Sequence, residues 1–161
     1  MKFTLMQGEL RKALHVVANV VPSKSTLPIL ETVLIQVTKD GSLTLTATDL
    51  DISVRTRRSA QVEEEGKVAV SARRLFDIVR ELPDQEVSLK GDESKLNLSC
   101  ARGRYRFVGA PIDDFPELPE LPGGKQVGVG PDVLEKMIRR TLYAVSTDET
   151  RPELTGVFME I

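Results

Sequence analysis

The sequence is poor in most of the residues that carry chemistry. It has one cysteine, one histidine and no tryptophan, and aromatic residues make up 4% of its 161 positions. Cys100 alone makes no internal disulfide. With one His and one Cys there is no metal-spaced cluster, and neither G-x-x-x-x-G-K-S/T nor G-x-G-x-x-G occurs, so no catalytic constellation, cofactor loop or metal centre is read from the sequence. Two Tyr and five Phe, mostly at core-like positions, leave no stacking platform for single-stranded nucleic acid. The formal net charge of -2, with 29% charged residues, excludes the strongly basic class, so a polyanion has to meet a local patch. No apolar run is long enough to cross a bilayer, and MKFTLMQGEL lacks the h-region of a signal peptide. These absences, with the single cysteine, predict a cytoplasmic protein with no membrane partner.

What is present is organised around Ser23 to Val54. A basic, proline-punctuated loop leads into an apolar strand that turns at Asp40-Gly41 into the alternating Leu43, Leu45, Ala47, which predicts a β-hairpin. The first half of this stretch recurs. TLPILETVLIQV at 26–37 matches TRPELTGVFMEI at 150–161 without a gap, at an offset of 124. Upstream, Leu10, Ala13, Leu14, Ala18 and Val21 align with Leu134, Met137, Ile138, Leu142 and Val145. The pattern strand, helix, loop, strand therefore occurs twice, and it predicts tandem domains at 1–122 and 123–161, the second truncated.

In chain order, Lys2 to Leu5 reads as a strand and Gln7 to Val21 as an amphipathic helix ended by Pro22. Its polar face holds Arg11, Lys12, His15 and Asn19, and the second copy presents Lys136, Arg139 and Arg140. Ile52 and Val54 continue a strand into Arg55, Arg57 and Arg58, and Gln61 to Gly66 reads as an acidic turn before a strand at Lys67 to Val70. Ser71 is placed to cap a helix with Leu75, Phe76, Ile78, Val79 and Leu82 inside and Pro83 after it. Arg73 and Arg74 sit just after that cap, where the helix dipole favours carboxylates, so local stability does not account for them. Glu86 to Lys90 and Lys95 to Cys100 read as strands around Gly91-Asp92. In RGRYRFV the alternation puts Arg102, Arg104 and Arg106 on one side and Tyr105 and Phe107 on the other. That row of charge fits either a guarded edge strand or a surface that meets an acidic partner or polyanion. APIDDFPELPELPGG then reads as a semi-rigid linker with Phe115 as an anchor. Asp49 and Asp51, two apart on a strand, are the nearest approach to a carboxylate pair.

Taken in order, MKFT, TLPIL, LTLTATDLDISV, SARRLFDIVRELP, GRYRF and DDFPELP resemble the bacterial β sliding clamp family, the processivity subunit of the replicative DNA polymerase III holoenzyme. The resemblance implies an α+β DNA-clamp fold, with two helices packed on antiparallel sheet in each of three tandem domains. It also implies a head-to-tail homodimeric ring around duplex DNA that acts in DNA replication, has no catalytic activity and has no sequence preference. Carried over residue by residue, it places Lys24 and Arg73 on DNA. A third contact region falls at Asp148, Pro152 and Glu153, where the family has amide and aromatic residues, a departure that counts against those three. It places Arg74, Arg104, Arg106 and Phe107 at the dimer interface. Arg151 and Leu154 match the start of a groove where the replicative polymerase, the clamp loader and repair polymerases dock a short motif. The chain corresponds to an N-terminal fragment, which by itself closes no ring. Two other classes stay open from the residues alone: a nucleotide-handling enzyme using Asp49 and Asp51 as metal ligands, and an adaptor whose arginines bind an acidic protein.

Overall fold

A computed structural model describes residues 1–101, 103–118, 127–148 and 150–160. The chain divides into two units, Met1–Pro119 and Glu120–Ile161. In the first, β1 (Lys2–Met6) runs into α1 (Gln7–Ala18), and a 3-10 turn at Pro28–Glu31 leads to β2 (Thr32–Val37). Then follow β3 (Ser42–Thr48), β4 (Ser53–Ser59), β5 (Gln61–Glu64), β6 (Gly66–Ser71) and α2 (Ala72–Glu81). β7 (Glu86–Asp92), β8 (Lys95–Cys100) and β9 (Gly103–Ala110) close the unit. Neighbouring strands pair antiparallel in the order β4-β3-β2-β6-β9-β8-β7-β1-β5.

The Asp40-Gly41 turn closes the β2–β3 hairpin as its residues dictate. Gly41 takes φ +83°, and the Asp40 carboxylate accepts from the Thr38 hydroxyl and the Ser42 N–H, which together hold its carboxyl below the usual range. Alternation then sends Val33, Ile35, Leu43 and Leu45 to one face of the sheet, where they are fully buried with Phe3, Leu89 and Leu98. Leu10, Ala13, Leu14 and Val17 of α1 and Leu75 and Val79 of α2 cover that face. Each fully buried Leu or Val contributes on the order of 1.5–3 kcal/mol.

Several elements differ from the sequence reading. Gln61 to Glu64 is a strand, not a turn. It pairs with β1 (Phe3↔Val62) as the outermost strand, its carboxylates reach water, and Lys2 Nζ meets Glu63 Oε2 at 2.5 Å. The pairing partner lies some sixty residues earlier, so no local pattern announces it. The α1 helix stops at Ala18, a turn before Pro22. Ser71 makes no side-chain capping bond, because β6 runs directly into α2 with Ser71 still paired to Thr32. Asp49 and Asp51 lie in the tight β3–β4 turn, not on a strand face, and Asp49 Oδ1 accepts the N–H groups of Asp51 (3.0 Å) and Ile52 (2.6 Å).

In the second unit, α3 (Pro131–Thr141) is followed by 3-10 turns at Leu142–Ala144 and Pro152–Leu154. The 124-residue offset carries the start of α1 onto the start of α3 and Pro28 onto Pro152. The strand expected at the end of this copy is not formed. Val157–Glu160 pairs with no other strand among the described residues, and a strand needs a partner for its backbone groups. For the same reason, residues matching buried positions of the first unit are bare: Met137 is 53% exposed, Ile138 40% and Met159 53%, against 0% for Ala13, Leu14 and Ile35. Arg102 and the 119–126 part of the expected linker, with the 122/123 boundary, lie outside the described residues.

Candidate nucleic-acid interface

The two helices of the first unit run antiparallel, as two contacts establish. Gln7, at the start of α1, is buried and donates from Nε2 to the Val79 carbonyl near the end of α2 (2.6 Å), and in the last turn of α1 the His15 ring lies 5.8 Å from Phe76, nearer the start of α2. The end of α1 and the start of α2 therefore share one end of the pair. The β2–β6 ladder places the same two segments together, since Thr32, just after the α1–β2 loop, pairs with Ser71, just before α2. Lys24 in that loop and Arg73 in the first turn of α2 are both exposed, and neither has an ion-pair partner among the described residues.

Three nearby cations, Lys12 and Arg80 on the helices and Arg58 on β4, are partly neutralised. Lys12 Nζ binds Glu9 Oε1 at 2.9 Å, Arg58 reaches the same carboxylate at 3.6 Å, and Arg80 binds Asp77 and Glu81. Lys12 beside Glu9 holds that carboxyl below the usual range. Arg11, Lys24, Arg73 and Arg74 remain as cations free to meet an external anion, with the helix pair as a rigid mount.

Arg104 and Arg106 project from the sheet face opposite the helices, where their cross-strand neighbours are Ser99 and Asn97. β9 also has a free edge. It pairs with β6 only at Ala69↔Ala110 and Val70↔Gly109, because β6 leaves the sheet at Ser71 to become α2. Residues Gly103–Val108 are thus hydrogen-bonded on the β8 side alone, beside the first turn of α2 that carries Arg74. Phe107 points to the other face of β9 from Arg104 and Arg106. It is 6% exposed within this chain and packs in the core opposite Leu96, as the alternation of β9 requires. Sequence reasoning missed Val108, 83% exposed at that edge and in phase with the two arginines; its signal was its parity with Arg104 and Arg106.

In the second unit Asp148 accepts the Thr150 N–H (3.0 Å), which with the Thr150 hydroxyl holds its carboxyl below the usual range and keeps it anionic. Glu153 is exposed later in the same loop, in the first turn of the Pro152–Leu154 helix. Two carboxylates make this loop a poor phosphate contact, in line with its departure from the family pattern. Arg151 and Leu154 are both exposed, and Ser146 donates to the Leu154 carbonyl at 2.9 Å, which folds the loop back toward α3.

Paired helices on an antiparallel sheet, with a helix-and-turn repeat 124 residues on, define an α+β protein of the DNA-clamp fold. Solved structures share it: Caulobacter crescentus pol III beta superposes with a TM-score of 0.89 at 35% identity, over 97% of this chain and 42% of that one. The DNA polymerase III subunit beta of Pseudomonas aeruginosa also gives 0.89, at 34% identity, over 97% of this chain and 43% of that one. Residues 1–119 match the family described as DNA polymerase III beta subunit, N-terminal domain, and the chain belongs to that family. A Beta sliding clamp of Synechococcus elongatus is 37% identical over 163 residues, covering 100% of this chain. The chain spans about 44% of the length of that relative.

Proposed function

We propose that this chain is part of a DNA polymerase processivity factor, a non-catalytic sliding clamp that encircles duplex DNA without sequence specificity and tethers the replicative polymerase. The observation that carries the reading is the pair of unneutralised cations, Lys24 and Arg73, at one end of a rigid helix pair in a chain of this family. Contacts of this kind hold phosphate and read no base, so the ring slides. Residues 1–122 form the first clamp domain and 123–161 belong to a second. The free edge of β9, with Arg74, Arg104 and Arg106, joins a head-to-tail partner subunit that offers carboxylates. Arg151 and Leu154 open the groove for the short motifs of the polymerase, the clamp loader and repair polymerases. Asp148, Pro152 and Glu153 line the DNA path without gripping it.

The test uses the full-length protein, loaded on nicked circular duplex and followed before and after the circle is linearised. Protein stays on circles and runs off ends. Lys24→Ala and Arg73→Ala each weaken direct DNA binding and lower the slope of log K against log salt by about one. Retention that is indifferent to linearising refutes a topological clamp.

A further inference from the structure

We propose that the β3–β4 tip, Asp49 to Ile52, docks a short segment of a partner protein in which apolar side chains alternate with lysine or arginine. The tip is over-determined. Thr48 Oγ1 lies 2.8 Å from Ser53 Oγ and accepts the Leu50 N–H at 3.0 Å, Asp49 Oδ1 accepts two N–H groups, and Asp49 N–H donates to the Ile52 carbonyl at 3.1 Å. These bonds hold Leu50 at φ +83°, in the left-handed region that glycine occupies freely and a residue with a Cβ does not. The strain secures no burial, for Leu50 and Ile52 are each 58% exposed. A strained backbone that presents an apolar side chain to water is the observation from which a role outside the fold is inferred.

The surroundings extend the surface and set its charge. β2 and β3 pair antiparallel through Leu34↔Thr46, so the tip and the Pro28–Glu31 turn flank the same end of that pair. Leu27, just before that turn, is 49% exposed, which brings three large apolar side chains to one end. Asp49 and Asp51 alternate with Leu50 and Ile52, and neither has an ion-pair partner among the described residues. Carboxylates between apolar side chains repel DNA phosphate and complement cations between apolar side chains. Lys24, in the loop that also carries Leu27, repels the peptide's cations and directs them to the aspartates.

The proposal stands apart from the clamp reading. A fluorescein-labelled peptide with two leucines flanked by lysines is titrated into the 161-residue chain, by polarisation and by methyl NMR. Saturable binding with shifts at Leu27, Leu50 and Ile52 is expected. Leu50→Gly weakens binding about tenfold or more yet melts no lower than the parent, since glycine relieves the strain, and Ile52→Ser weakens it similarly. A peptide with glutamate in place of lysine does not bind. Undiminished affinity of Leu50→Gly overturns the proposal, as do shifts confined to the exposed apolar residues of the second unit, or self-association through the tip without peptide binding. Failure here leaves the circle experiment untouched, and failure there leaves this one untouched.

Discussion

Leu14 and Ile138 occupy the same place in the 124-residue repeat and opposite environments, so truncating each to alanine separates pattern from packing. Leu14 is 0% exposed between α1 and the sheet, whereas Ile138 is 40% exposed on α3. Leu14→Ala removes buried methyl groups and leaves a cavity that a nine-stranded sheet and two helices collapse around only partly, at about 3 kcal/mol. With an unfolding entropy of about 2.1 cal/mol/K per residue over the first unit, that lowers its melting temperature by about 12 °C. Ile138→Ala removes little buried surface and gains helix propensity, so its effect stays within about 0.5 kcal/mol. Circular dichroism melts of the 161-residue chain measure both. Equal shifts would refute the assignment of the core to the first unit. In the full-length protein the clamp reading carries a corollary: there the α3 face is covered, and Ile138→Ala costs nearly as much as Leu14→Ala.

Two further outcomes rest on local geometry. A Cβ at Gly109 falls 2.4 Å from the Glu93 carbonyl oxygen, at the joint where β9 passes from β8 to β6, so Gly109→Ala costs about 1–3 kcal/mol in thermal melts, whereas Gly128→Ala, with nothing within 4 Å, is silent. The Ser94 hydroxyl and N–H hold Asp92 down from 3.8 to about 2, so its contribution is complete above pH 3.8 and is lost as pH falls toward 2. Asp92→Asn therefore lowers the urea midpoint at neutral pH and flattens its decline over that acid window, and an unchanged decline would count against the Ser94 contacts.

Much of the fold is legible from local signals. Asp40-Gly41 between alternating apolar runs announces the hairpin because only glycine holds its φ of +83° without strain. The helix faces are legible because Leu10, Ala13, Leu14 and Val17 recur at helical spacing, and proline at 28 and 152 marks the two matching turns. The candidate site is half legible. Lys24 and Arg73 stood out, one by resemblance and one by sitting against a helix dipole, but no sequence rule says that they share one end of a helix pair. That follows from Gln7 reaching Val79 and from Thr32 pairing with Ser71.

By itself, then, the sequence determined which segments turn, which alternate and which repeat, because those properties depend on residues a few positions apart. Only the tertiary structure decided that Gln61–Glu64 is a strand on the far edge beside β1, that Phe107 is core while Val108 is bare, and that Asp49 and Asp51 sit in a turn, where one Asp49 oxygen accepts the Asp51 and Ile52 N–H groups. Those outcomes depend on partners that the chain brings together from a distance. The free edge of β9 exists because β6 departs into α2 at Ser71; the arginine row of RGRYRFV is compatible with an edge strand, but where the edge opens is set by that departure.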